Sequence, residues 1–157
     1  MRGKDVGEGT SEADCSYITK SKLDKYFERN CFAGFVKAEH GIDFYSVYGS
    51  LFEKLDNEEE MEEEVGTQHE AAVPFGDENS TKEEVYAFYR DWERFNSIKK
   101  FTYVDVYDPR EAPNRRIKRL IENDNNKARQ KERTKFNDKM RDLLNHVKSK
   151  DPRYQQF

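Results

Sequence analysis

From Pro113 to Ser149 no Gly and no further Pro interrupts the chain. No other segment restricts the fold as much. Pro113 sits where helices begin, and a single helix from there to Ser149 is about 55 Å long at ~1.5 Å per residue. Its apolar residues form two sets. At 100° per residue, Ile117, Leu120, Ile121 and Ala128 share one side, and Phe136, Met140, Leu143, Leu144 and Val147 lie about 120° away. One straight helix cannot lay both sets on one flat surface, so its halves pack on different partners or the helix breaks between them. Between them, residues 122–135 hold Ala128 as their only apolar residue. Pairing of Lys118 with Glu122, or of Arg129 or Lys135 with Glu132, supplies only about 0.2–0.5 kcal/mol each. A bound partner is the expected support for this polar middle.

Charge points the same way. Residues 1–112 carry 14 Lys/Arg and 26 Asp/Glu, a net of −12, whereas residues 113–157 carry 14 Lys/Arg and 6 Asp/Glu, a net of +8. An acidic body with a basic end marks a binder of nucleic acid or of acidic surfaces. Lys127, Lys131 and Lys135 make an i, i+4, i+8 row, and Arg115, Arg119, Arg129 and Arg133 lie near a second meridian. Two such rows over ~30 Å match the scale of backbone phosphates on a duplex. Arg115, Arg116, Lys118, Arg119, Lys127, Arg129, Lys131, Arg133 and Lys135 are therefore the candidate RNA-binding residues. Arginine grips phosphate bidentately and stacks on bases, which suits structured RNA.

Upstream, aromatic periodicity dominates. Aromatics make up 13% of the 157 residues, too many for a wholly disordered chain. Ser21 is placed to cap a helix through Leu23, Tyr26 and Phe27. A second helix begins near Ile42, with Tyr45, Tyr48, Phe52 and Leu55 on one face. It ends in Glu58–Glu64, six acids in seven residues. Acids oppose the dipole there, so this end is expected to fray into solvent. Gly66, Pro74, Gly76 and Asp77 mark a linker. Ser80 with Glu83 then forms a capping box ahead of Val85, Phe88, Tyr89, Trp92 and Phe95, a core-facing stripe. Phe101–Tyr107 reads as a short helix or an extended connector, ended by Asp108-Pro109.

The expected fold is all-α: a small aromatic-rich helical bundle followed by a long basic helical arm. Residues 1–18 are a disordered lead-in and 19–112 an acidic body with a flexible linker over 65–80. The basic arm is 113–150 and the tail 151–157. No phosphate loop, nucleophile elbow or metalloprotease motif is present, so no enzyme activity is expected. Cys15 and Cys31 are the only cysteines, and the three histidines are scattered. Neither a zinc site, another cofactor nor a disulfide scaffold is implied. No run of about 18 apolar residues offers a membrane span, and no leader pattern follows Met1.

At Phe88-Tyr89-x-x-Trp92-x-x-Phe95 the sequence resembles the zuotin-homology region of ribosome-associated J-proteins. Lys100-Phe101, Tyr103, Asp105 and Tyr107 extend the likeness. It continues through Ala112-Pro113-Asn114-Arg115-Arg116, Lys127-Ala128-Arg129, Phe136-Asn137 and Lys150-Asp151-Pro152-Arg153. The likeness extends to the zuotin-like DnaJ subfamily C branch acting in late cytosolic large-subunit maturation. Tyr103 stands where Trp is common and Phe136 where Tyr is common.

The resemblance implies docking on the large ribosomal subunit near the tunnel exit, on ribosomal RNA and protein, in the cytoplasm. It also implies work with a seventy-kilodalton heat-shock chaperone through a J-domain. Neither a His-Pro-Asp loop nor Cys/His fingers occur in these residues, which correspond to a middle region of such proteins. A helical protein-protein interaction scaffold without RNA contact uses the same charges and is the alternative.

Overall fold

In the computed structural model, which describes residues 12–39 and 41–156, α-helices and short 3-10 turns are the only regular elements. Helix α1 runs Phe44–Met61, α2 Lys82–Glu93, α3 Arg115–Lys150 and α4 Pro152–Gln156. Asp43 starts α1 by accepting the Ser46 amide at 3.1 Å. Its inward face is Phe44, Tyr45, Tyr48, Leu51, Phe52 and Leu55, all buried. That is the spacing an amphipathic helix needs.

Helix α2 starts one residue later than the Ser80–Glu83 pair predicts. Thr81 accepts the Glu84 amide at 3.2 Å, and Glu84 accepts the Thr81 amide in return. Ser80 instead holds the preceding turn by accepting from the Asp77 amide at 2.9 Å. Ser21 likewise caps nothing: it is the first residue of a 3-10 turn, Ser21–Phe27, that seats Leu23 in the core.

Phe88 and Trp92 of α2 pack on Phe52 of α1, with ring centroids 5.0 and 4.9 Å apart. Phe75 comes in from the irregular segment between α1 and α2 and packs on Phe44, Phe52 and Phe88. Phe136, Met140, Leu143, Leu144 and Val147 of α3 complete the same cluster. Trp92 is therefore shared by two helices. Trp92→Ala is expected to cost about 3–5 kcal/mol, a large part of a domain's stability. Thermal melting checks this, and a midpoint within a few degrees of the parent's contradicts it.

Three expectations need correction. The lead-in is not disordered up to residue 18: residues 1–11 lie outside the described residues, but Glu12–Asp14 forms a 3-10 turn and Ile18 is buried. The linker over 65–80 lacks helix yet is tethered, because Phe75 is a core residue. The tail, described as far as residue 156, is packed onto the body. Asp151 and Arg153 form a buried ion pair (Nη2–Oδ2 2.8 Å), Tyr89 donates to Asp151 at 2.7 Å, and Arg153 donates to the Phe75 carbonyl at 2.7 Å. Asp151 and Arg153 thus hold α2 and the linker together.

The acidic end of α1 does not fray either. Glu58 accepts the Ile18 amide at 2.9 Å and the Lys99 ammonium at 2.6 Å; Glu59 accepts from Ser97 Oγ at 2.9 Å and from the Ile98 amide at 2.7 Å. All three charged residues are buried. Burial raises the Glu59 carboxyl above its usual range. Farther along, His69 lies 2.7 Å from Glu63 and 3.2 Å from Asp56. Its hydrogen bond to Glu63, then that to Asp56, lifts its pKa from 6.5 to about 9.

Because the folded value lies above the unfolded one, this clip contributes fully below pH 6.5 and is lost as pH rises through about 9. The denaturant midpoints of parent and His69→Gln should differ most near pH 6 and converge above pH 9. A gap that widens at high pH contradicts the clip.

Candidate nucleic-acid interface

Asn114 opens α3 by accepting the Ile117 amide at 2.9 Å. Four of the first five helical residues are then cations, Arg115, Arg116, Lys118 and Arg119, and the first turn has no acid. All four are exposed. The positive end of a helix favours acids, and each cation there costs about 0.3–1 kcal/mol. An external anion is the natural counterweight.

The helix is unbroken, and its halves do pack on different parts of the chain. The two apolar sets are joined by buried polar residues, Asn125 and Glu132, into one stripe running from Ile121 to Val147. Asn125 accepts the Val106 amide at 3.0 Å and donates to the Tyr107 carbonyl at 2.8 Å. Glu132 accepts from the Tyr103 hydroxyl and the Lys20 ammonium, each at 2.6 Å. Burial and the hydrogen bond to Glu132 push the Tyr103 phenol well above its usual range. The polarity of the buried face of 122–135 therefore has an internal cause. Segment 99–111 and Lys20 cover it, where the sequence suggested a bound partner.

Two of the nine predicted binding residues belong to that internal cover. Arg129 forks onto Asp105, with Nε 2.6 Å from Oδ1. Arg133 donates to the Lys99 carbonyl at 2.7 Å and lies over the Phe101 ring. Phe101 itself holds a left-handed backbone (φ 55°), a strained conformation for a non-glycine residue. The Arg133 guanidinium and the Phe136 ring pin it there. Nothing in the local sequence separates Arg129 and Arg133 from their neighbours, since both partners lie more than twenty residues away.

The other seven, Arg115, Arg116, Lys118, Arg119, Lys127, Lys131 and Lys135, are exposed, and none forms an ion pair among the described residues. Arg116, Lys127, Lys131 and Lys135 fall within about 100° of arc, opposite the buried stripe, over ~28 Å of helix. Leu120 is exposed within the same arc. The result is a straight cationic ridge on a rigid support. Among the described residues there is neither a cluster able to hold a metal ion nor a helix long and apolar enough to cross a membrane.

An aromatic helical bundle is completed by a long helix whose outer face is cationic. Residues 43–155 match the family model described as zuotin-like, zuotin homology domain. The chain is 36% identical over 137 residues to human DnaJ homolog subfamily C member 21, covering 85% of this chain and 25% of that protein. It is 34% identical over 116 residues to zuotin of Saccharomyces cerevisiae, covering 73% and 25%. Human DnaJ homolog subfamily C member 2 is 30% identical over 122 residues, covering 77% and 18%. The chain thus belongs to the zuotin-like family of J-proteins, and it spans about a quarter or less of the length of these relatives.

Proposed function

We propose that this domain anchors a J-protein to the large ribosomal subunit, with the exposed cations between Arg115 and Lys135 on ribosomal RNA. The observation that carries the reading is the placement of four exposed cations at the helix end that disfavours them. Phosphates supply the missing counter-charge, and a ridge without exposed aromatics reads shape rather than base sequence. The anchor holds an attached J-domain, and through it a seventy-kilodalton heat-shock chaperone, beside cytosolic pre-ribosomes in late maturation. The domain itself catalyses nothing in this scheme.

Co-sedimentation of the chain with isolated large subunits tests the anchor. With about five phosphates neutralised and a slope of about −0.9 per phosphate, affinity should fall roughly 500-fold between 50 and 200 mM salt. Binding that is equally tight at both salt concentrations would favour the protein scaffold without RNA contact.

A further inference from the structure

The outward half of α3 is sorted by chemistry as well as by charge. With Arg116 taken as zero on a wheel of ~100° per residue, the buried stripe is centred near ~180°. Asn126, Gln130, Asn123 and Thr134 then lie between about −80° and 0°, and Lys127, Lys131 and Lys135 between about 20° and 100°. All seven are exposed. Two rows therefore run side by side over ~18 Å of helix, one of amides and a hydroxyl, the other of ammoniums.

A face shaped by solvent alone would look different. Solvated helix faces set acids four residues from lysines. Here lysine follows lysine at 127, 131 and 135, and like charges at that spacing weaken a helix. Asn and Thr are poor helix formers too, because their side chains compete for the backbone. Asp124 is the one acid in this stretch of the outward half, and it forms no ion pair among the described residues. The side chains of Asn123 and Asn126 bond to nothing among the described residues. Gln130 accepts from Arg133 Nη1 at 2.9 Å, which leaves its NH2 group to donate outward.

An RNA duplex matches both rows. Its minor groove is wide and shallow, and it displays 2′-hydroxyls between two phosphate strands. A 2′-hydroxyl both donates and accepts, and so does a side-chain amide. Lysine ammoniums are compact charges suited to phosphate. A helix ~10–12 Å across does not enter the ~6 Å minor groove of B-DNA.

Resting on the ribosomal-RNA reading above, we propose that α3 lies along the minor groove of an RNA duplex. Asn123, Asn126 and Gln130 contact 2′-hydroxyls, and Lys127, Lys131 and Lys135 contact the phosphates of one strand. Arg119, exposed at about −60° one turn before Asn123, falls on the side of the other strand. The lysine row supplies affinity, and the amide row makes the site selective for RNA.

Fluorescence anisotropy of the full chain tests this. The probe is a blunt RNA duplex of about 16 base pairs, long enough to offer two successive minor grooves. In 0.1 M salt the parent should bind it at least tenfold more tightly than the DNA duplex of the same sequence. Replacing Asn123, Asn126 and Gln130 together by Ala should erase that ratio: RNA binding weakens at least tenfold while DNA binding stays within twofold. Helical circular dichroism should not fall, since Ala is the better helix former. The salt slope should also be unchanged, because no charge is removed. Lys131→Ala should instead weaken both duplexes alike and keep the ratio.

The minor-groove mode is overturned by equal parental affinity for the two duplexes, by an RNA preference that survives the triple replacement, or by tighter binding to the single strand. Salt-sensitive co-sedimentation with large subunits would leave the anchor standing in each of those cases, whereas its loss would remove the anchor itself. Co-sedimentation without binding to either duplex would make ribosomal protein the contact, and that too overturns the minor-groove mode.

Discussion

Replacing Lys127, Lys131 and Lys135 together by Glu is expected to lower large-subunit affinity by about 500-fold at 0.1 M salt. The figure follows from losing three phosphate contacts, each worth roughly eightfold at that ionic strength by the duplex-DNA slope. The fold should survive, because all three side chains are exposed and none forms an ion pair among the described residues. Reversing Lys54, Arg90 and Arg94, which are exposed on the acidic body, should have less than a tenth of that effect. Co-sedimentation at equal folded fraction decides it. Equal losses from both sets would mean that only net charge matters. Arg129 and Arg133 do not serve in such a test. Their reversal would repel Asp105 and strip the cover from Glu132, so lost binding would report lost structure.

The second large effect is expected at Lys99. Its ammonium is 2.6 Å from Glu58 and 3.8 Å from Glu59, under cover of the Tyr17 and Phe136 rings. Lys99→Met leaves two buried carboxylates without their cation, which costs about 3–5 kcal/mol. For a chain of this size the melting point should fall by roughly 10 °C. Adding Glu58→Gln should restore part of the loss, because it removes one of the stranded charges. Calorimetry of the single and double variants checks both statements. A Lys99→Met protein that melts like the parent would show that the cluster is neutral or hydrated in solution.

Local periodicity carried the apolar part of the fold. The α1 face from Tyr45 to Leu55 and the α2 stripe from Val85 to Trp92 were legible because each is written within one helix. The buried charges were not. Glu58 finds Ile18 and Lys99 about forty residues away in either direction, and no pattern within an acidic run tells a buried glutamate from a solvated one. The ridge shows the same limit. Charge alone selected nine cations, but tertiary pairing to Asp105 and the Lys99 carbonyl withdrew Arg129 and Arg133. The capping box slipped by one residue because Ser80–Glu83 and Thr81–Glu84 both satisfy its spacing. The tie is broken by the Asp77 turn, which takes Ser80 for itself.

The unbroken run of α3 couples the ridge to the core by rotational phase. One uncharged residue inserted between Lys127 and Phe136 would leave every existing side chain and the net charge untouched. It would nevertheless turn the cationic end by ~100° relative to the bundle and move it ~1.5 Å along the axis. Asn125 would rotate away from Val106 and Tyr107. Four inserted residues would return the face to within ~40° of its original bearing but carry it ~6 Å outward. In this stretch the number of residues therefore fixes the bearing of the cationic face as firmly as their identity fixes its charge.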